Sequence, residues 1–142
     1  MCGISGFLDR REQRRGDAAA IVADMATVLA HRGPDDSGCW VDDEAGIALA
    51  HRRLAIIDLS PTGHQPMLSA DGRFVITYNG EIYNYREVGL RLAAAGVKLR
   101  GQSDTEVLVE GFALWGIAET LAQCEGIFAL AVWDRRERRL TL

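Results

Sequence analysis

The stretch Arg73-Phe74-Val75-Ile76-Thr77-Tyr78-Asn79-Gly80-Glu81 decides the reading of the fold. Phe74, Ile76 and Tyr78 alternate with Val75 and Thr77, so residues 73–78 read as a strand with two mostly apolar faces, covered on both sides. Asn79-Gly80 follows at once. As a short-range signal this pair denotes a hairpin turn. Residues 81–83, however, are not an obvious returning strand, and Asn84 can cap a helix over residues 85–95 that Gly96 closes. The pair therefore has a second reading, in which the Asn79 side-chain amide and the Gly80 backbone N–H are aimed at a developing oxyanion.

Outward from that strand, the elements alternate in type. Residues 3–9 are apolar and Gly-punctuated, a first strand beginning almost at the terminus. Asp17 reads as the N-cap of a helix over residues 18–30, with Ile21, Met25, Val28 and Leu29 on the expected buried face. Gly33-Pro34 stops it. Residues 37–41 and 46–58 read as strands joined by an acidic turn, and a loop with Pro61, Gly63 and Pro66 leads to the central strand. Ser103-Asp104-Thr105-Glu106 has capping-box spacing and opens a helix to Trp115, with Val107, Leu108 and Phe112 inward. Residues 126–133 form a continuous apolar strand, 134–138 a turn and 139–142 the start of another strand. Antiparallel sheets with segregated helices, an α+β layered fold, fit this order.

A chain of 142 residues is about one domain. Apolar residues make up 48% and charged residues 25%, which excludes wholesale disorder. The formal net charge of −4 argues against a dedicated nucleic-acid binder. Arg clusters at residues 10–15 and 135–139 are interrupted by Glu and read as solvated loops. No apolar run reaches the roughly 18–20 residues of a membrane helix, and no signal peptide is evident, so a cytoplasmic protein is expected. Cys2, Cys39 and Cys124 are scattered, with no CxxC pair and no Cys/His cluster, so neither a disulfide frame nor a metal site is expected. Cys39 and Cys124 read as small buried or half-buried residues.

Cys2 is the most informative single residue. Removal of Met1 would leave a thiol and a free α-amine on the same carbon. Their unperturbed pKa values are about 8.5 and about 7.7–8.0, so the amine can serve as a neutral base beside the sulfur. In this N-terminal-nucleophile arrangement the base travels with the nucleophile, and no His partner is needed.

Met1-Cys2-Gly3-Ile4, His31-Arg32-Gly33-Pro34-Asp35, Arg53-Leu54-Ala55-Ile56-Ile57-Asp58, Gly63-His64-Gln65-Pro66-Met67, Asn79-Gly80-Glu81-Ile82-Tyr83-Asn84 and Ser103-Asp104-Thr105-Glu106 occur in this order. With residues 126–133 they resemble the N-terminal glutaminase domain of glutamine-hydrolysing asparagine synthetase, a class II glutamine amidotransferase. The resemblance runs over essentially the whole chain. It implies the αββα sandwich of N-terminal-nucleophile hydrolases, with residues 1–142 forming one C-terminally incomplete glutaminase domain. It also implies hydrolysis of the glutamine side-chain amide to glutamate and ammonia through a Cys2 thioester.

By the same resemblance, Asn79 and Gly80 match the oxyanion-hole donors. Arg53 matches the residue that holds the substrate α-carboxylate, Asp104 the one that holds its α-ammonium, and Glu81 a neighbouring glutamine contact. Residues 31–35 match the loop that closes over glutamine. A free amino acid carries two opposite charges at its α-carbon, so one guanidinium and one carboxylate suit it, and guanidinium pairing can be bidentate. Strand alternation alone does not choose between Arg52 and Arg53. The resemblance chooses Arg53 and leaves Arg52 to the surface.

The synthetase domain and its pyrophosphate-binding loop are not in this sequence, and no Walker-type loop replaces them. No cofactor is expected in this chain, and ATP and Mg are implied only for a synthetase partner that receives the ammonia. The early end leads to the expectation of a fragment or split subunit whose exposed sheet edge favours a homodimer or a docked partner. Two other readings stand beside the enzyme: a non-catalytic glutamine-binding module, and an amidase for another amide.

Overall fold

The computed structural model describes residues 2–9, 17–55 and 61–142. Two antiparallel sheets are packed face to face. One has three strands in the order β1 (Gly3–Leu8), β3 (Ile47–Arg53), β2 (Asp36–Asp42). The other has four, in the order β4 (Met67–Leu68), β5 (Phe74–Ile82), β6 (Gly126–Asp134), β7 (Arg139–Thr141). Ala45, Ile47, Leu49, Val75, Ala131 and Trp133 fill the space between them. Helix α1 (Ala18–Val28) covers the outer face of the three-stranded sheet. Helices α2 (Tyr85–Ala94), α3 (Asp104–Trp115) and α4 (Ile117–Leu121) lie on the outer side of the four-stranded one. The layers therefore run helix, sheet, sheet, helix, as the α+β reading requires.

The two faces of β5 meet different neighbours. Phe74, Ile76, Tyr78 and Ile82 join Leu108, Val109 and Phe112 of α3 in the largest core cluster. Val75 packs toward the other sheet, and the Thr77 hydroxyl donates to the Ala50 carbonyl at 3.2 Å. A strand apolar on both faces is what a position between two layers demands.

Several local expectations are corrected. The strand expected over residues 46–58 ends at Arg53, and residues 56–60 lie outside those described. The Arg cluster at 10–15 also lies outside them. Helix α1 buries Ala18, Val22 and Ala26, not the larger residues of the expected face: Ile21 is 38% and Val28 75% exposed. Ala48 and Ala50 on β3 present a flat, small-residue surface, so the helix approaches through its own small side chains. Cys39 is exposed on β2, contrary to its expected burial. Asn84 stands at the start of α2 without capping it through its side chain. Its amide instead donates to the Gln123 carbonyl and accepts from the Glu125 N–H, both at 2.9 Å, and so ties α2 to the start of β6.

The capping box at Ser103 is half formed. Ser103 Oγ accepts from the Glu106 N–H at 3.2 Å. The Glu106 carboxylate turns instead to the N–H groups of Arg100 and Gly101, each at 2.7 Å, and to Arg100 Nε at 2.9 Å. This buried carboxylate fixes the approach to α3 and, with it, the position of Asp104.

Candidate active site

A cleft of about 90 Å³ opens between the sheets, where β1 begins and β3 ends. Cys2, Arg53, Gly80, Glu81 and Asp104 all line it. Five of the six residues singled out from sequence thus converge from the position just before β1 and from β3, β5 and α3, although they span about a hundred positions of chain. The sixth, Asn79, is half-buried on β5 beside Gly80 but is not part of the cleft wall. It shares its strand face with Val75 and Thr77, the face turned toward the three-stranded sheet.

Cys2 is held by the backbone of Leu54. The Leu54 N–H donates to Sγ at 3.3 Å, and the thiol faces the Leu54 carbonyl at 3.7 Å. Arg53 is 9% exposed, with its guanidinium against Gly63. Arg52, on the opposite strand face, donates through Nε to the Gly33 carbonyl at 3.0 Å and braces the 31–35 loop. Asp35 in that loop accepts the Ala55 N–H at 2.8 Å.

Asn79-Gly80 forms no turn: β5 runs through both residues to Ile82. The hairpin reading fails because α3 and β6 hold the strand straight well past Tyr78. What glycine provides at position 80 is room, since a Cβ there would strike Phe128 and the Ile127 carbonyl on β6. The hydrogen-bond pattern supplies the rest. The Tyr83 N–H donates to the Glu125 carbonyl at 2.7 Å, making that a hydrogen-bonded pair with the β6 side. Antiparallel pairs alternate, so Tyr78, Gly80 and Ile82 turn their N–H groups to the opposite edge of β5. The Tyr78 N–H reaches Gln65 Oε1 at 2.7 Å and the Ile82 N–H reaches Asp104 Oδ2 at 3.1 Å, both on that edge. The Gly80 N–H lies between them. Strand β4 spans only Met67–Leu68, pairing with Ile76 and Val75, so this edge stays open to the cleft.

Asp104 is buried at the first turn of α3. Its Oδ2 accepts from the Tyr78 hydroxyl at 2.7 Å and from Ile82 N, and its Oδ1 accepts from Thr105 N at 2.9 Å. Burial and the adjacent Asp104 carboxylate push the Tyr78 phenol well above the usual tyrosine range, so it remains a hydrogen-bond donor.

Sequence reasoning missed Leu54, Gln65, Tyr78, Ser103 and Thr105 as cleft residues. Gln65 is the most consequential. Its Oε1 takes the Tyr78 N–H where the short β4 cannot, and its Nε2 donates to Thr105 Oγ1 at 3.2 Å. The available signal was its place in Gly63-His64-Gln65-Pro66-Met67, quoted above as a motif without a role for each member. Among the described residues, no group of three or more His, Cys, Asp or Glu could hold a metal ion. Among them, too, no helix is long and apolar enough to cross a membrane.

The chain is similar to several known proteins. An amidase, chry2, of Gibberella zeae is 36% identical over 148 residues, covering 99% of this chain and 22% of the relative. A glutamine-hydrolysing asparagine synthetase, number 3 of Bacillus subtilis, is 37% identical over 142 residues, again covering 99% of this chain and 22% of the relative. The chain thus spans about a fifth of these relatives. The structure of glutamine phosphoribosylpyrophosphate amidotransferase from B. subtilis superposes with a TM-score of 0.71 at 20% identity, covering 94% of this chain and 34% of that one, and so shares the fold. The model of the glutamine amidotransferase domain matches residues 1–142, and the chain belongs to that family.

Proposed function

We propose that this chain hydrolyses the side-chain amide of free glutamine and delivers the ammonia to an ATP-dependent synthetase domain or subunit of the asparagine-forming type. One observation carries the reading. A single cleft gathers a cysteine at position 2, one buried guanidinium, one buried carboxylate and a strand edge that offers the Gly80 N–H. Arg53 and Asp104 are the two charges a free α-amino acid demands at its head, and Cys2 lines the same cleft as the nucleophile for its side-chain amide.

In the proposed reaction, Met1 has been removed and the Cys2 α-amine takes the thiol proton. The sulfur attacks the amide carbon of glutamine, and the carbonyl π pair moves to oxygen. The Gly80 N–H and the Asn79 amide stabilise that oxyanion, a task where one donor is typically worth about 10²–10³ in turnover. The Leu54 N–H gives the sulfur a fixed donor before attack. As the intermediate collapses, the protonated amine passes its proton to the departing nitrogen, which leaves as ammonia. Water, deprotonated by the same amine, then attacks the thioester and releases glutamate with the thiol restored. The balance is glutamine plus water to glutamate plus ammonia. ATP and Mg belong to the partner's half of the chemistry.

The synthetase partner is supported by the relatives named asparagine synthetase, of which this chain matches about a fifth. The cytoplasm is the proposed compartment. The test is ammonia release from glutamine by the purified chain. Cys2→Ala should abolish it, and so should retention of Met1, read by intact mass. Full activity in Cys2→Ala, or glutamine binding with no ammonia released by the wild-type chain, would overturn the proposal.

A further inference from the structure

We infer that Tyr78 is a positioning residue that sets the α-ammonium subsite by orienting the Asp104 carboxylate, a reading that rests on the glutaminase function proposed above. Tyr78 is fixed at three separate points. Its N–H donates to Gln65 Oε1 at 2.7 Å, its carbonyl accepts from His51 Nε2 at 3.0 Å, and its hydroxyl donates to Asp104 Oδ2 at 2.7 Å. The side chain is 3% exposed and its ring packs against Phe128. A phenol so anchored is a rigid donor.

The consequence falls on Asp104. The terminal torsion of an aspartate is broad, so its carboxylate plane is set by its partners. Oδ2 accepts two bonds from β5, through the Tyr78 hydroxyl and Ile82 N–H, whereas Oδ1 accepts one, from Thr105 N–H of its own helix. Oδ1 therefore keeps more acceptor capacity for a cation in the cleft that both residues line. Without the hydroxyl, only the 3.1 Å contact from Ile82 N–H holds Oδ2, and the carboxylate loses the shorter of its two anchors. The oxyanion edge of β5 is unaffected, because the backbone bonds of Tyr78 to Gln65 and His51 do not involve the phenol.

Labelling of Cys2 by two reagents, read by peptide mass mapping, tests this. One is 6-diazo-5-oxonorleucine, an electrophile with a free amino-acid head, and the other is iodoacetamide, which has none. In Tyr78→Phe the half-saturating concentration of the first should rise about tenfold, while the Cys2 labelling rate with iodoacetamide stays within about twofold. In an Asp104→Asn background the same change should add little, since both substitutions act through one carboxylate. Equal half-saturation in wild type and Tyr78→Phe would overturn the inference. So would parallel loss with both reagents, or a full tenfold effect in the Asp104→Asn background. Failure of the amino-acid reagent to label Cys2 in the wild-type chain would instead overturn the glutaminase reading itself.

Discussion

The guanidinium of Arg53 occupies the space that a side chain at Gly63 would fill: a Cβ built at position 63 falls on Nη2 and Cζ of Arg53. The two residues belong to different segments, β3 and the 3₁₀ turn Pro61–Gly63. The turn thus lies directly against the guanidinium proposed to hold the substrate α-carboxylate, and the missing side chain of Gly63 is a condition of where that charge sits.

Gly63→Ala should therefore act on binding before it acts on stability. The obstructing atoms are the far end of a flexible side chain, so Arg53 can swing aside without disturbing the core. The expected outcome is a KM for glutamine raised about tenfold, equivalent to about 1.4 kcal/mol, with kcat within about threefold and an unchanged unfolding midpoint. Steady-state ammonia release and urea denaturation check both halves. A KM equal to wild type would show that Arg53 keeps its place by other means.

Asn79 predicts the opposite split. Its amide is proposed to stabilise the oxyanion, a charge absent from the bound ground state, so Asn79→Ala should lower kcat by about 10²–10³ and leave KM nearly unchanged. Single-turnover formation of the Cys2 thioester reads that step directly. A KM effect without a kcat effect would move Asn79 from the reacting carbonyl to the substrate head.

Glu106 is a stability residue that the site depends on. It is 1% exposed, and its carboxylate accepts two backbone N–H groups and Arg100 Nε. Truncation leaves those N–H groups without the acceptor that organises the 100–103 turn. Glu106→Ala is expected to cost about 2–4 kcal/mol, and Glu106→Gln, which keeps one acceptor oxygen, about half as much. Urea midpoints at neutral pH measure both. Equal losses in the two variants would point to charge, not hydrogen-bond count, as the cause.

The parts of the molecule legible from sequence are those where local chemistry and tertiary demand agree. Ser103 accepts from Glu106 N–H as its spacing requires, and the alternation over residues 74–78 marks the strand that both layers cover. Legibility fails where a partner's shape decides. Helix α1 docks through Ala18, Val22 and Ala26 because Ala48 and Ala50 lie opposite, a fact about β3 that no periodicity within the helix contains. Asn79-Gly80 reads locally as a turn, yet nine register pairs between β5 and β6 hold it in the strand. The cleft was legible through residues with chemistry of their own, such as Cys2 and Arg53. Gln65 and Tyr78 escaped because their roles consist of bonds to other parts of the site, visible only once β5, α3 and the 61–66 loop are together.

His51 yields a prediction about acid. It is 1% exposed between the sheets, and burial pushes its pKa down to about 4, partly offset by its bond to the Tyr78 carbonyl. The unfolded chain protonates this imidazole near 6.5. Between about 6.5 and about 4 the unfolded state therefore binds the extra proton, so stability falls as the pH falls through that window and is independent of His51 above it. At about 1.36 kcal/mol per unit, the full loss is about 3 kcal/mol. Glu110 acts in the opposite sense, because burial raises its carboxyl and its protonation favours the fold. The lowered carboxyls of Asp36, Asp71 and Asp134 titrate below the window. His51→Gln keeps a donor and removes the titration, and Glu110 is common to both proteins. Urea midpoints at pH 7.5 and 5 should diverge strongly in wild type and much less in His51→Gln. An identical acid decline in the two proteins would place the sensitivity elsewhere than in the imidazole that joins β3 to Tyr78.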